Sequence, residues 1–474
     1  MTLRVLSGRN LLLIALLLRV GFAVTLPAHE FIPGPDQMLH DSLARNFLSG
    51  RGLSISEDIM HPPEDQPEWV KKKFERQREL GGLWGTIRPN VPQAAIPPLN
   101  PLALALSYYL LGMGNLFIYR LLMALLGTAS CWFAFDIARR IFSERVALIT
   151  LLLTAIHPAL LYYTGVALTE SIFIFFFLAF IDVIIRFRER PSLGLSAVAG
   201  AIWVLGLLTR SAMTTVLPFA ILFMLFPRRG SFKPVAVAVF LLSIAVCLVP
   251  WVIRNYQVFD KLVIVPNKGW NLWERNNYRF NEAYQQETDE ADAYAWILGR
   301  PPFKINKPET VEFPDILPSD DEVTRNEKFY AQGKAFILAN PGLYIRLCVV
   351  HLFEFFRVLG RGHDSLVFTV ARIFPYGIAL PFFLVGFLQA FRRSDPASRQ
   401  KIVLISIMLA YIALHILVTA APRYRLPIEP LMLMFATAAM LRIWQRVRGR
   451  EKGDPPSPRL WRTRREKGED GTGD

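Results

Sequence analysis

The stretch PVAVAVFLLSIAVCLVPWVI, Pro234 to Ile253, contains no charged side chain and is followed at once by Arg254-Asn255-Tyr256. In hydrocarbon only a helix satisfies its own backbone, and about 20 apolar residues at ~1.5 Å each cross a ~30 Å core. Outward from this run the pattern repeats near 10–26, 118–138, 146–164, 168–187, 192–208, 211–226, 366–391, 402–420 and 426–445. Two further runs are ambiguous: 97–112 is short and carries Pro101, and 342–360 carries His351, Glu354 and Arg357, which are costly against lipid. The composition agrees, with 474 residues, 53% hydrophobic, 19% charged and a mean hydropathy of +0.31, against about 25% charge in soluble domains. The expected class is an all-α polytopic membrane protein with about 10–12 transmembrane helices.

Net charge is +14, yet the basic residues form no single face, so nucleic acid is not an expected partner. They fall instead in short connections: two in the first ten residues, three in each of 139–145, 186–190 and 227–233, four in 392–401 and ten in 442–474. The long loops 27–117 and 254–335 are slightly acidic. The positive-inside rule then puts both termini in the cytoplasm and the two long loops outside. The tail 446–474, basic and with Pro455, Pro456 and Pro458, is expected to be disordered near anionic headgroups. Arg4 and Arg9 before Leu11–Leu26 superficially fit a signal peptide, but a small-residue cleavage site is missing, so an uncleaved first span is expected. Cys131, Cys247 and Cys348 lie in apolar runs and have neither disulfide nor zinc spacing.

Polar residues gather at the outer span ends. Asp36 follows Pro35, where its plain role is a helix N-cap. Asp41 reads as a solvated helix residue, and Leu39, Leu43, Phe47 and Leu48 share one face suited to lying on the membrane. Glu170 stands at the mouth of an apolar helix, where the dipole favours an acid. Arg210, Arg254, Arg423 and Arg425 are outer cations; each can snorkel, but their placement against the inward bias suits an anionic headgroup such as phosphate. Arg19 lies mid-span and is expected to face a polar partner inside the bundle, and Asp182 with Arg186 reads as a helix pair. No internal repeat, glycine-rich phosphate loop or two-histidine metal motif is evident.

An ordered set of short motifs runs along nearly the whole membrane region. It comprises Asp36 with Leu43-Ala44 and Gly50-Arg51-Gly52-Leu53-Ser54, Pro97-Pro98-Leu99-Asn100-Pro101, Arg120-Leu121, Ala138-Arg139-Arg140-Ile141-Phe142, and Leu168-Thr169-Glu170. It continues with Gly206-Leu207-Leu208-Thr209-Arg210, Pro250-Trp251-Val252-Ile253-Arg254-Asn255-Tyr256, Asn271-Leu272-Trp273 with Asn276-Asn277, Asn340-Pro341, and Arg423-Tyr424-Arg425-Leu426-Pro427. In this the chain resembles the membrane glycosyltransferases of the GT-C fold, specifically the bacterial family 39 group related to protein O-mannosyltransferases and to the lipid A aminoarabinose transferase. It departs from the family at Ile96, where a basic residue is common, and at Asn100, where tyrosine is usual, which leaves Arg88 as the substitute phosphate contact. The approach to the Leu-Trp pair is also altered, reading Asn267-Lys268-Gly269-Trp270-Asn271, and 55–90 has no family counterpart.

The resemblance implies a GT-C domain over 1–445, with interfacial helices in both outer loops. It implies transfer of a sugar from a polyprenyl phosphate carrier to a glycolipid, glycan or protein acceptor outside a bacterial inner membrane. Asp36 is the family-matched general base, because an acceptor hydroxyl attacks the anomeric carbon better when a carboxylate takes its proton. At a lipid boundary such a carboxylate is expected to lose hydration. Glu170 would orient the acceptor or act as a second acid, and Arg88, Arg210, Arg254, Arg423 and Arg425 would receive the phosphate. One base without a covalent nucleophile implies inversion. No metal or other cofactor is expected, although a divalent ion would fit if Asp36 and Glu170 converged. The rival reading is a secondary transporter or flippase of lipid-linked sugars, which calls for charges on broken helices near the bilayer midplane. A noncatalytic scaffold, or a polymerase or ligase using a lipid diphosphate, remains further away.

Overall fold

A computed structural model describes residues 7–29, 35–57, 71, 89–226, 234–277, 314–317, 319–358, 370, 373–392 and 397–452. Its helices are α1 (Gly8–Thr25), α2 (Pro35–Leu48), α3 (Leu99–Leu111), α4 (Phe117–Ile141), α5 (Glu144–Ala155), α6 (Pro158–Gly165), α7 (Glu170–Glu189), α8 (Leu193–Leu207), α9 (Leu217–Leu225), α10 (Pro234–Phe259), α11 (Lys268–Arg275), α12 (Glu322–Ala339), α13 (Pro341–Phe356), α14 (Ile378–Ala390), α15 (Ser398–Leu417) and α16 (Glu429–Lys452). Several begin where a side chain accepts from the first free amides. Ser7 takes Asn10 N at 3.2 Å, Ser143 takes Val146 N at 3.3 Å, Ser192 takes Leu195 N at 3.2 Å and Asp321 takes Thr324 N at 2.6 Å.

By length and composition, five helices among the described residues qualify as membrane spans: α1, α4, α10, Ile373–Ala390 (which includes α14) and most of α15. The number is seven if two bent pairs each count once, α5 with α6 and α12 with α13. This differs from the ten runs read from hydropathy for identifiable reasons. The 192–208 and 211–226 runs form helices shorter than a bilayer needs, and α7 and α16 carry several charges. The ambiguous run 97–112 is the thirteen-residue α3. The ambiguous run 342–360 is α13, bent 109° from α12, with His351 and Glu354 buried in protein.

α4 packs on α1, α3, α5 and α7; α8 joins α7 to α10; and α16 lies against α14 and α5. Glycines permit two of these contacts: a Cβ at Gly200 would meet Phe240 O of α10 at 2.6 Å, and one at Gly386 would strike the Phe435 backbone of α16. Phe173, Phe177, Phe180 and Phe187 of α7 are buried in the core, so this phenylalanine-rich helix turns its rings inward rather than to lipid. Val235, Leu242 and Val246 of α10 are exposed, as a helix facing acyl chains requires.

The mid-span charges are consumed by the fold. Pro158 has no N–H and biases its predecessor away from helix, so the 146–164 run breaks at His157 with a 48° bend. Arg19, 1% exposed, donates to the freed carbonyls of Thr154 and Ala155 at 3.2 Å each and to Ala15 O at 3.1 Å. The polar partner expected for Arg19 is therefore a helix C-terminus, whose dipole favours a cation. His157 meets Glu429 at 2.7 Å. At the opposite end of α4 and α7 from Glu170, Asp136, Arg139, Arg140, Asp182, Arg186 and Glu189 form one ion network, larger than the Asp182–Arg186 pair expected. α16 continues to Lys452, past the 446 boundary at which disorder was expected; 453–474 lie outside the described residues.

Candidate functional site

Four chain segments meet at the end of the bundle where α7 begins. α2 starts at Pro35, whose missing N–H costs nothing in a first turn, and Asp36 stands beside it. The next residue, Gln37, accepts Ala167 N at 2.9 Å, which pins α2 to the loop entering α7. Glu170 opens α7, with its side chain only 2% exposed. Arg210 follows the end of α8, and Arg423 lies in a 3-10 turn, Pro422–Arg425, between α15 and α16.

Arg423 Nη2 donates to Asp36 Oδ2 at 2.6 Å, while its Nε lies 3.8 Å from Glu170 Oε1. Arg210 Nη2 reaches the same Glu170 oxygen at 3.4 Å, and its guanidinium sits over the rings of Tyr424 (4.9 Å) and Phe173 (5.9 Å). Two carboxylates thus share two guanidinium groups. Asp36 is 39% exposed and ion-paired, in contrast to the dehydrated carboxylate expected. It does not stand as a bare N-cap either, since its oxygen is taken by an arginine far along the chain. Arg423 bridges the two acids that would be the natural ligands of a cation. Among the described residues no group of three His, Cys, Asp or Glu is placed to hold a metal ion.

The remaining expected contacts lie elsewhere. Arg425, 3% exposed, turns away into the protein, bonding Glu429 at 2.6 Å and Phe355 O at 2.7 Å and covering the Tyr376 ring at 3.4 Å. This corrects its expected place on a phosphate. Arg254 donates to Gln93 O at 2.8 Å and packs over Trp251, in the field of Glu322. Glu322 itself accepts Ala94 N at 2.6 Å and Ala95 N at 3.1 Å. Arg88 lies outside the described residues. Asp41 is not solvated as expected: it accepts from Arg45 at 2.9 Å and from Tyr108 OH at 2.6 Å. Leu39 and Leu43 are buried against Leu53, Ile55, Ala94 and Trp251, so this part of the face covers protein, while Phe47 is exposed.

Two further residues belong to this neighbourhood. His40, one turn after Asp36, is 7% exposed; burial pushes its imidazole down to about 4, with Asp36 opposing and Arg423 and Arg210 assisting. Glu274 on α11 is raised by burial, with Arg275 and Arg423 opposing and Asp36 adding to the rise. The end of α11 is fixed there because Asn276 donates to Val418 O at 2.9 Å, just before the Arg423 turn. The only sequence signal for His40 was its spacing of four from Asp36, and for Glu274 its place next to the Leu-Trp pair.

Residues 95–253 match the family described as dolichyl-phosphate-mannose-protein mannosyltransferase. The matched segment runs from α3 to most of α10 and is less than half of the chain. A search of curated proteins gives no match. Among solved structures, the chain is similar in fold to the oligosaccharyltransferase AglB of Archaeoglobus fulgidus, in complex with an inhibitory peptide and a dolichol-phosphate. The TM-score is 0.51 and the identity 12%, over 96% of this chain and 52% of that one. A form of that enzyme tethered to an acceptor peptide gives TM-score 0.51 and 11% identity, over 95% and 51%. ArnT of Cupriavidus metallidurans, bound to undecaprenyl phosphate, aligns over 94% and 79% with 15% identity and TM-score 0.39. The fold is GT-C-like, and the chain spans about half the length of the archaeal enzyme it matches.

Proposed function

We propose, with the family match of 95–253 as premise, that the chain transfers a sugar from a polyprenyl-phosphate carrier to a glycolipid, glycan or protein acceptor. The reaction would take place at the Asp36–Glu170–Arg210–Arg423 cluster, on the outer face of a bacterial inner membrane with both termini cytoplasmic. The observation that carries the reading is the 2.6 Å bond between Arg423 and Asp36. The base and a phosphate-binding cation are held in one ion pair, and a donor phosphate entering the cluster competes for the cation.

The chemistry follows from that competition. A donor phosphodiester draws Arg423 and Arg210 to its oxygens and leaves the Asp36 carboxylate free to accept a proton. The acceptor hydroxyl gives its proton to Asp36 as its oxygen bonds to the anomeric carbon. The bond from that carbon to the phosphate oxygen breaks, and its electron pair leaves on the polyprenyl phosphate. The leaving group is already acidic, so it needs positive charge rather than a proton donor, and the arginines supply it in a partly buried place where charge interactions are strong. A single displacement of this kind inverts the anomeric centre. Glu170 stays beside Arg210, held at 3.4 Å.

The transporter reading draws less support, because the buried mid-span charge Arg19 is partnered by backbone carbonyls within the protein. The deciding experiment is transfer of radiolabelled sugar from a panel of polyprenyl-phosphate donors in membranes carrying wild type or Asp36→Asn. A new glycosidic product from wild type, lost in the variant, is expected. Label that crosses the membrane without forming a glycoside would favour the transporter.

A further inference from the structure

Three ionisable side chains are buried around the turn that carries Arg423 and take no part in the transfer proposed above: Arg425, Glu429 and His157, at 3%, 1% and 2% exposure. Glu429 Oε1 accepts from Arg425 Nε at 2.6 Å, and Glu429 Oε2 lies 2.7 Å from His157 Nε2. The second approach is too bent for a full hydrogen bond, and His157 Nδ1 has no hydrogen-bond partner, so Glu429 is the one charged group the imidazole meets among the described residues. Arg425 also donates through Nη1 to Phe355 O at 2.7 Å and to Arg357 O at 3.2 Å, the carbonyls that end α13. Apolar side chains of similar volume often stabilise a fold as well as a buried ion pair does, or better. Three ionisable groups kept here therefore call for a purpose beyond holding the chain together.

Their places in the chain supply one. Glu429 opens α16, just after the Pro422–Arg425 turn. His157 stands at the break between α5 and α6, and α6 leads into Glu170. The contacts Arg425–Glu429–His157 thus tie the turn bearing Arg423 to the segment bearing Glu170. A donor phosphate that draws Arg423 away removes the 2.6 Å bond to Asp36 that fixes this guanidinium. From then on its aim depends on the backbone of the turn, which Arg425 anchors two residues away. We infer that Arg425, Glu429 and His157 form a buried strut that keeps Arg423 and Glu170 in register, with Glu429 and His157 as positioning residues that act through Arg425 and not on the substrate. The inference rests on the carrier-dependent transfer proposed above and deepens it.

The test is a comparison in two backgrounds. Purified full-length wild type and Arg423→Gln each receive His157→Leu, His157→Gln or Glu429→Gln, and kcat and KM are measured with one polyprenyl-phosphate sugar donor. Affinity for polyprenyl phosphate and the unfolding midpoint in detergent are followed alongside. In the wild-type background Glu429→Gln should lower kcat by ~10- to 100-fold, the scale of a misplacement of about 1 Å. His157→Leu should lower it by ~3- to 10-fold, because its contact is bent and weaker than a full hydrogen bond. His157→Gln, which returns an N–H donor to the same end of the side chain, should recover most of that loss, with the donor KM within ~2-fold throughout. In the Arg423→Gln background the same substitutions should change kcat by less than ~2-fold, since the group they aim is gone. A merely structural role would lower the rate alike in both backgrounds, and that result overturns the strut, as does a rate per folded molecule unchanged by His157→Leu. If Glu429→Gln fails to fold, the His157 pair decides. Wild type that binds polyprenyl phosphate but forms no glycoside would overturn the proposed transfer, and the same two-background comparison, read on carrier affinity, still judges the strut. Wild type that binds no carrier would sink both.

Discussion

Acids and arginines gather at both ends of the bundle that α4 and α7 run through, and the two ends are built differently. At one, Asp136 is bonded by Arg139 at 2.8 Å, Arg140 at 2.6 Å and Arg186 at 2.7 Å, while Glu189 takes Arg140 and Asp182 takes Arg186 at 2.6 Å each. Asp182 Oδ1 has the long contact of this network, 4.0 Å from Arg140. At the other end, one short bond, Arg423 to Asp36, stands beside looser contacts at 3.4 and 3.8 Å and two buried atoms without a hydrogen bond, Glu170 Oε2 and Arg210 Nη1. The same residue types therefore make a closed lock at one end and an open cluster at the other. Saturation, more than the presence of charge, separates a structural network from a site that waits for a ligand.

The contrast is broken most directly at Asp36. Replacing it with Asn removes the proposed proton acceptor and should lower transfer by about 10²- to 10⁴-fold, the usual worth of a general base. The check is single-turnover transfer from a saturating donor; full turnover would remove Asp36 from the reaction and leave the open end without its central residue. Arg423→Gln comes next. Removing one preorganised donor from a developing anion typically costs about 10²- to 10³-fold in kcat, and steady-state rates with one polyprenyl-phosphate donor measure it. An effect confined to KM would instead assign Arg423 to ground-state binding.

The closed end should answer in stability rather than rate. Asp136, with its side chain 1% exposed, holds three arginines. Asp136→Asn leaves those cations undercompensated and should destabilise the protein by about 3 kcal/mol. Denaturation in detergent would show this, with the rate per folded molecule within about twofold of wild type. A rate loss as deep as that of Asp36→Asn would erase the distinction between the ends.

How much of this could be read beforehand differs from residue to residue. Glu170, Arg210 and Arg423 were legible because a charge at the end of an apolar run is conspicuous, Asp36 was singled out by the family resemblance, and the structure brings those four together. Arg425 looked equivalent to Arg423, only two positions away. At about three residues per turn in the 3-10 segment Pro422–Arg425, however, i and i+2 point about 120° apart, so one faces the acids while the other is buried on Glu429. Arg254 also ends a span, but hydropathy does not say which neighbour a cation will meet. The break at His157 was hidden because an apolar average over 146–164 does not register one proline. α7 and α16 read as plain spans, although their charges are settled by partners far along the chain. His40 carried no signal beyond its register, since burial comes from α2 packing on the protein.

A third charged arrangement sharpens the comparison because it fits neither end. Glu322 is saturated by two backbone amides, yet burial raises its carboxyl to about 7, with the Ala94 and Ala95 amides and Arg254 only partly opposing. Its folded pKa lies above the ordinary value near 4.5, so the folded state binds more protons than the unfolded one in between. Stability from this group is then complete below pH ~4.5 and is lost as pH rises through about 7. Glu322 is only part-buried, and solvent screening should keep the change to about 1 kcal/mol. The expected outcome is a wild-type stability that falls by that amount between pH 5 and 8, and a Glu322→Gln protein that lacks this part of the slope. Denaturant titrations of both proteins across that range measure the difference. Parallel curves would mean that the clasp on Ala94 and Ala95 behaves like the closed end, held by its hydrogen bonds alone. A difference would make saturation by amides insufficient to silence a part-buried acid, and full pairing with cations the feature that locks Asp136 in place.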